Sequence, residues 1–286
     1  MATRTLPTCF ISHGGGPWPW MKEQMHGAYD RLEAALQAMP RQVGTTPEAV
    51  LMISGHWEER DFTVMATEHP PMIYDYSNFP EHTYHVKYAA PGAPHVAERV
   101  RALLHGAGIA VQVDPERGFD HGTFAPLAVI YPNADVPVLQ LSLKSGYDPQ
   151  DHIAVGRALA PLRDVGVLIV GSGLSYHNLR ALGPQAQGPS TAFDQWLDQT
   201  LVQSTPAERI ARLVAWDAAP GAPGASARGP SAAADGGGRR GRHGARHARL
   251  SRRRVPGRRR GLELHVRRRL SAAPRAHGST SADGRG

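Results

Sequence analysis

Along the chain, short continuous apolar runs alternate with stretches of helical spacing. Ala49 to Ser54 is apolar throughout, the mark of a strand covered on both faces, and Pro7 to Ser12, Val136 to Leu143 and Val167 to Ser172 read as further strands. Phe62 to Ala66 predicts an edge strand and Ala110 to Val113 a short one. Trp20 to Met39 carries Met21, Met25, Tyr29, Leu32, Ala35 and Leu36 at helical spacing and meets Pro40, which predicts a helix that stops there. His95 to His105, Phe124 to Ile130, Asp151 to Leu162, Phe193 to Val202 and Pro206 to Trp216 predict further helices. Strand-helix alternation of this kind predicts an α/β fold, a single domain whose mostly parallel central sheet is flanked by helices. Residues 69–94 break the alternation with an aromatic, proline-rich segment, and an ordered loop of that length is usually functional.

Three of the strands end alike. Cys9-Phe10-Ile11-Ser12 runs into His13 and three glycines, Ser54 into Gly55-His56-Trp57, and Val167 to Gly173 into Ser175-Tyr176-His177-Asn178. Open α/β sheets bind ligands outside the carboxyl ends of their strands, and neutral imidazole suits divalent metals. Each histidine alone is also explained as a structural residue, but three in equivalent positions point to one metal site of His13, His56 and His177. Ser54 and Asn178 suit either hydrogen bonds to such ligands or turn capping. His121, in the turn Asp120-His121-Gly122, is a candidate general acid/base beside a carboxylate, or an exposed turn histidine. His82 and His85 form an H-x-x-H pair with no third ligand nearby, and His69, His95, His105 and His152 receive no role. Tyr74, Tyr76, Phe79 and Tyr84 would line a pocket for a planar substrate or pack as a lid.

Charge divides the 286 residues in two. Residues 221–286 hold 17 arginines, no lysine and three acids, a net of +14, whereas residues 1–220 carry a net of −7. The tail also lacks Phe, Trp, Tyr, Ile and Met, too little apolar area to offset the entropy of ordering it, so it is expected to be disordered. The one cysteine, Cys9, excludes a disulfide framework and a cysteine-based zinc site. No signal-peptide core opens the chain, and no apolar run approaches the roughly 18 residues of a membrane span. A soluble, cytoplasmic protein with no membrane partner is expected.

Ser12-His13-Gly14, Ser54-Gly55-His56-Trp57, Tyr74-Asp75-Tyr76 with Phe79-Pro80, Phe119-Asp120-His121-Gly122, Val138 to Ser142, and Gly171-Ser172-Gly173 with His177-Asn178 occur in that order. Together, over roughly residues 7–216, they resemble the DODA-type (4,5-DOPA) extradiol ring-opening dioxygenases of the LigB-like class III extradiol family. The resemblance implies an oxidoreductase with a mononuclear non-haem Zn(II) or Fe(II) site that opens catechol-type substrates with O2. It matches His13 and His56 to metal ligands and His121 to an active-site histidine suited to proton transfer. His177 matches a residue that is a ligand in the DODA-type branch and the catalytic base in other LigB-like enzymes. No separate organic cofactor is implied.

The family carries a further histidine ligand near its C-terminus, in a segment like Glu-Glu-His-Leu-Leu-Pro-Leu, and no such segment occurs here. His243, His247, His265 and His277 lie in the arginine-rich tail without that context. Read one nucleotide later, the codons of Arg228 to Gly238 permit Glu-Asp-His-Leu-Leu-Pro-Leu-Met-Val-Ala. At the same offset those of Arg260 to Arg267 permit Ala-Ala-Ser-Ser-Ser-Thr-Phe-Gly. The domain reading is therefore residues 1–220 as an extradiol dioxygenase-like catalytic domain lacking its C-terminal part, and 221–286 as a frame-shifted basic tail. A dioxygenase impaired by the missing ligand is one functional reading. The other is a non-catalytic relative whose tail binds nucleic acid non-specifically through phosphate contacts; it has no aromatic residue for base stacking. The oligomeric state is not legible.

Overall fold

The buried runs assemble side by side. The computed structural model describes residues 5–176 and 184–222. In chain order, β1 (Thr8–Ser12) leads to the one-turn α1 (Lys22–Met25) and then to α2 (Asp30–Val43). β2 (Ala49–Ser54), β3 (Glu58–Glu59) and β4 (Phe62–Met65) precede the aromatic loop, and α3 (Pro94–Gly106) and β5 (Val111–Asp114) follow it. Next come α4 (His121–Ile130), β6 (Val138–Gln140), β7 (Leu143–Lys144), α5 (Pro149–Ala158), β8 (Val167–Gly173), α6 (Gln187–Asp198) and α7 (Pro206–Val214). No helix among the described residues is long and apolar enough to cross a membrane.

The main sheet has the order β1-β8-β2-β6, and all its pairings are parallel. β3 with β7 and β4 with β5 form two more parallel pairs, and one antiparallel bridge, Val64 to Leu141, ties β4 to the chain beyond β6. The α/β fold with a mostly parallel sheet is thus the one expected. Ser12 lies opposite Gly173, and Ser54 opposite Ser172. This register brings the carboxyl ends of β1, β8 and β2 level, so His13 and His56 emerge on either side of the end of β8.

One face of the sheet is closed by helices. α2 buries Leu32, Leu36, Met39 and Val43 along one stripe and packs on α4, which lies against β2 and β8. α4 is apolar nearly all round and buried from His121 to Leu127, as a helix enclosed on every side must be. On the other face, Phe10, Ile53 and Ile169 line a groove of about 550 Å³ whose far wall includes Val155 and Leu159, and Phe10 is 42% exposed.

Element boundaries depart from the sequence pattern where a local backbone preference prevails. The helix expected over Trp20 to Met39 is interrupted at His26 and Gly27, both at positive φ (48° and 77°), which no α-helix accommodates. Pro40 does not stop α2; it sits in the last turn, and the helix ends at Gly44 with φ 79°. The run Val136 to Leu143 divides into β6 and β7 because the Ser142 hydroxyl accepts from Thr63 N–H, drawing the chain away from β2. The helix expected to Leu162 gives way to a 3-10 turn, Ala160–Val165, at Pro161, which has no N–H to continue the α pattern. His177, Asn178 and the tail beyond residue 222 lie outside the described residues.

Candidate metal centre

His13 leaves β1 into a glycine loop that cannot carry side chains. A Cβ on Gly14, whose φ is +79°, would lie 2.5 Å from the Trp18 indole, and that same indole N–H donates to the His13 carbonyl at 2.8 Å. The glycines therefore let Trp18 pack under His13 and fix its backbone. His56 leaves β2 through a turn in which the Ser54 hydroxyl accepts from His56 N–H at 3.2 Å. His121 is the first residue of α4, whose N-cap, Asp120, accepts from Thr123 N–H at 3.2 Å. Gly122 follows because there is no room for more: a Cβ there would lie 2.4 Å from Ser54 Oγ and 3.0 Å from His56 Cδ2.

These three histidines meet. One nitrogen from each of His13, His56 and His121 lies within 4.8 Å of the others, a group able to hold a metal ion. The Nε2 atoms of His13 and His56 are 3.1 Å apart, and the His56 and His121 ring centroids 4.0 Å apart. His13 is 4% exposed, and the side chain of His121 is buried. His177, expected in the same cluster, lies outside the described residues, and His121, expected as an acid/base, stands within ligand reach beside His13 and His56.

The outer nitrogens face oxygen atoms, by hydrogen bonds at His13 and His121 and by a charge contact at His56. Ser172 gives its only hydroxyl proton to the Gly122 carbonyl, so its oxygen, 3.2 Å from His13 Nδ1, accepts from that nitrogen. Asp75 spans the other two rings, with Oδ2 3.3 Å from His56 Nδ1 and Oδ1 2.8 Å from His121 Nδ1. Asp75 Oδ1 also accepts from the His121 backbone N–H at 3.0 Å. Burial raises the Asp75 carboxyl, but the hydrogen bonds and charge of His121, with the charge of His56, outweigh it and hold it below the ordinary carboxylate value.

Asp120, adjacent to His121 in sequence, is not its partner. Its carboxylate is fully buried and accepts from Ser54 Oγ at 2.7 Å, Gln140 Nε2 at 2.7 Å and Arg117 Nη2 at 3.1 Å, besides its own helix. The carboxylate that faces His121 is Asp75, 46 positions upstream in the aromatic loop. Asp75 and Ser172 both fall inside the motifs of the resemblance, yet no spacing rule singles them out. Ser54 both supports the His56 turn and binds Asp120.

The aromatic loop packs over the cluster. Tyr74 and Tyr76 donate to the carbonyls of Val86 and Thr83 at 2.8 and 2.6 Å, and the Tyr76 ring meets His121 edge-on at 5.8 Å. Burial pushes the Tyr76 hydroxyl above its ordinary value, so it remains a neutral donor. His82 and His85 lie outside the cluster, against the Trp20 carbonyl and Glu81.

The family model described as the catalytic LigB subunit of aromatic ring-opening dioxygenase matches residues 7–229. The chain is 44% identical over 163 residues to a 4,5-DOPA dioxygenase extradiol of Beta vulgaris, which covers 56% of this chain and 61% of that protein. It is 36% identical over 215 residues to a 4,5-DOPA dioxygenase extradiol of Escherichia coli K12, covering 73% of this chain and 75% of that protein. The crystal structure of an uncharacterized protein from Escherichia coli K12 aligns with a TM-score of 0.53 at 34% identity, covering 66% of this chain and 73% of that one. The chain spans about three fifths of the length of several curated relatives, 61% for the Beta vulgaris protein and 56% for the dioxygenase tasH of Hapsidospora irregularis. Since the match runs through every described strand of the main sheet and both elements that carry Asp75 and His121, the chain belongs to the LigB family of aromatic ring-opening dioxygenases.

Proposed function

We propose that this chain is a metal-dependent extradiol dioxygenase that opens catechol-type, DOPA-like rings with O2, using one Zn(II) or Fe(II). The observation that carries the reading is the gathering of His13, His56 and His121 at the carboxyl end of a parallel sheet, in a member of the LigB family. The donor set fits the ion. Neutral imidazoles suit zinc and ferrous iron. The 3.1 Å between the His13 and His56 Nε2 atoms is close to the roughly 3.3 Å edge of a tetrahedron with metal–nitrogen bonds of about 2.0–2.1 Å.

His13 and His56 would hold the ion, with His177 as a further ligand or as the base. A bound divalent ion would supply Lewis acidity that makes a diol hydroxyl easier to deprotonate. His121 is the group for that proton. Its Nδ1 is engaged by Asp75, which leaves Nε2 as the nitrogen to accept it. Tyr76, edge-on to His121, offers an aromatic wall to a planar ring. The family resemblance places one more histidine ligand in a segment this sequence lacks, so the ion should be held more weakly here than in relatives that have it.

The test is O2 consumption with DOPA or a simpler catechol after anaerobic loading with Fe(II). Turnover that requires the metal and is lost in His13→Ala and His56→Ala is expected, and turnover unchanged in both variants would refute the assignment. His121→Ala separates the roles of that residue: as the base it keeps the metal and loses turnover, whereas as a ligand it loses both.

A further inference from the structure

The feature left without a role is the carboxylate of Asp75, which contacts two of the three histidines at once. Its Oδ1 is 2.8 Å from His121 Nδ1 and its Oδ2 3.3 Å from His56 Nδ1. The carboxylate does not hang on a loose loop. Tyr74 and Tyr76, on either side of it, are tied by their hydroxyls to the carbonyls of Val86 and Thr83, and Oδ1 is pinned by the His121 backbone N–H. The Asp75 side chain is 21% exposed, so these contacts are largely shielded from water.

We propose that Asp75 is the positioning residue of the centre, one carboxylate that holds His56 and His121 together with a proton on each Nδ1 and turns both Nε2 atoms inward. An ionised carboxylate only accepts, so His121, hydrogen-bonded to it, must present a proton at Nδ1, and the same charge 3.3 Å from His56 Nδ1 favours that tautomer there too. Ser172 imposes the same tautomer on His13 independently, because its own proton goes to the Gly122 carbonyl. All three rings then turn Nε2 to the same space, and the 3.1 Å between those of His13 and His56 is a hydrogen-bond distance that a shared proton fills and a bound cation would take over. A carboxylate behind a metal-binding histidine fixes ring orientation and strengthens the nitrogen as a donor. Here one carboxylate serves two rings, so its loss should disturb both. This inference rests on the proposed metal site for its purpose, but the tautomers themselves can be read without metal.

Asp75→Asn is the sharp variant. An amide has one acceptor and one donor end, so it can satisfy only one of the two Nδ1–H groups, and the ring facing its NH2 must move its proton to Nε2. Long-range proton–nitrogen correlation spectra of the metal-free, nitrogen-15 histidine-labelled chain report which ring nitrogen of each histidine carries a proton at about pH 8, above the ordinary imidazole range. His13→Gln, His56→Gln and His121→Gln assign the signals. The expected result is Nδ1–H at His56 and His121 in the wild type, Nε2–H at one of them in Asp75→Asn, and His13 unchanged in both. Asp75→Glu keeps the carboxylate and should keep the Nδ1–H pattern. Should Asp75→Asn not fold, Asp75→Glu carries the test alone, since a switch to Nε2–H with the carboxylate retained contradicts the proposal. Wild-type rings already in the Nε2–H form, or an unchanged pattern in a folded Asp75→Asn, would overturn it.

Co(II) titration followed by visible absorption gives the second readout, with a loss of affinity of about 10- to 100-fold expected for Asp75→Asn. If the wild type takes up no Co(II) while the tautomers switch as described, the metal reading fails and the role of Asp75 stands. If the wild type binds Co(II) and Asp75→Asn binds it equally, the role of Asp75 fails and the metal reading stands.

Discussion

Replacing Asp120 with alanine removes a fully buried carboxylate on which four donors converge: Ser54 Oγ, Thr123 N, Gln140 Nε2 and Arg117 Nη2. Arg117 is itself enclosed, with its guanidinium 4.6 Å over the Trp57 ring and its side chain 18% exposed, so it would lose its counter-charge in a poorly hydrated place. Breaking a buried pair from one side costs about 3–5 kcal/mol. Asp120→Asn should cost less, about 1.5–3 kcal/mol, the range for hydrogen bonds to a charged group. Its NH2 would meet the Gln140 amide, whose buried Oε1 has no partner and can turn to accept, leaving Arg117 as the main loss. For a chain of this size each kcal/mol moves the melting midpoint by roughly 2–4 °C, so alanine should lower it by roughly 6–20 °C. Thermal unfolding by circular dichroism, with urea titration as a check, reads the effect. Adding Arg117→Gln to Asp120→Asn should recover part of the loss, because the stranded charge is gone. A drop below about 1 kcal/mol in Asp120→Ala would refute the view that this carboxylate ties α4, β2 and β6 together. A switch in the His121 tautomer in Asp120→Asn would refute the assignment of Asp75, not Asp120, as its partner.

Gly122→Ala should displace His56 and cost about 1–3 kcal/mol, because the new methyl would lie 2.4 Å from Ser54 Oγ; weaker Co(II) binding with α4 retained is the expected signature. Burial pushes the Cys9 thiol up to about 11 from an ordinary 9.0, so at pH 8 the native chain should hold about 100-fold less thiolate than the unfolded one and alkylate correspondingly more slowly. The sign is distinctive: the native rate should go on rising with pH towards about 11, and a plateau near 9 would contradict it. The family match ends at residue 229, next to Arg228, where the offset reading begins. Resequencing the gene across the codons for Trp216 to Gly238 should find one nucleotide gained or lost, and an unaltered sequence would make the basic tail genuine.

The sheet and two of its histidines were legible because a buried parallel strand must be apolar along its whole length and must end abruptly. His13 and His56 stand at such ends, and the level register of β1, β8 and β2 does the rest. His121 was visible as a residue but not as a neighbour of the other two, since that depends on how α4 lies against β2 and β8. Sequence adjacency pointed to Asp120 as its carboxylate, yet an N-cap side chain turns back toward its own helix, and the space beside the ring is filled from the aromatic loop. Asp75 was hidden for that reason: 46 residues separate it from His121, and its meaning arises only when Tyr74 and Tyr76 anchor the loop. The break in the first helix was hidden too, because apolar spacing runs unchanged through His26 and Gly27 while the backbone turns left-handed there.

Equilibrium dialysis against Zn(II), with metal counted per chain in the wild type, His13→Ala and His56→Ala, tests the central claim most directly. The expected result is saturation at one ion per wild-type chain and loss of that ion in each variant. A wild type that takes up no saturable equivalent, or variants that retain it, would contradict a metal centre built on the ends of β1 and β2.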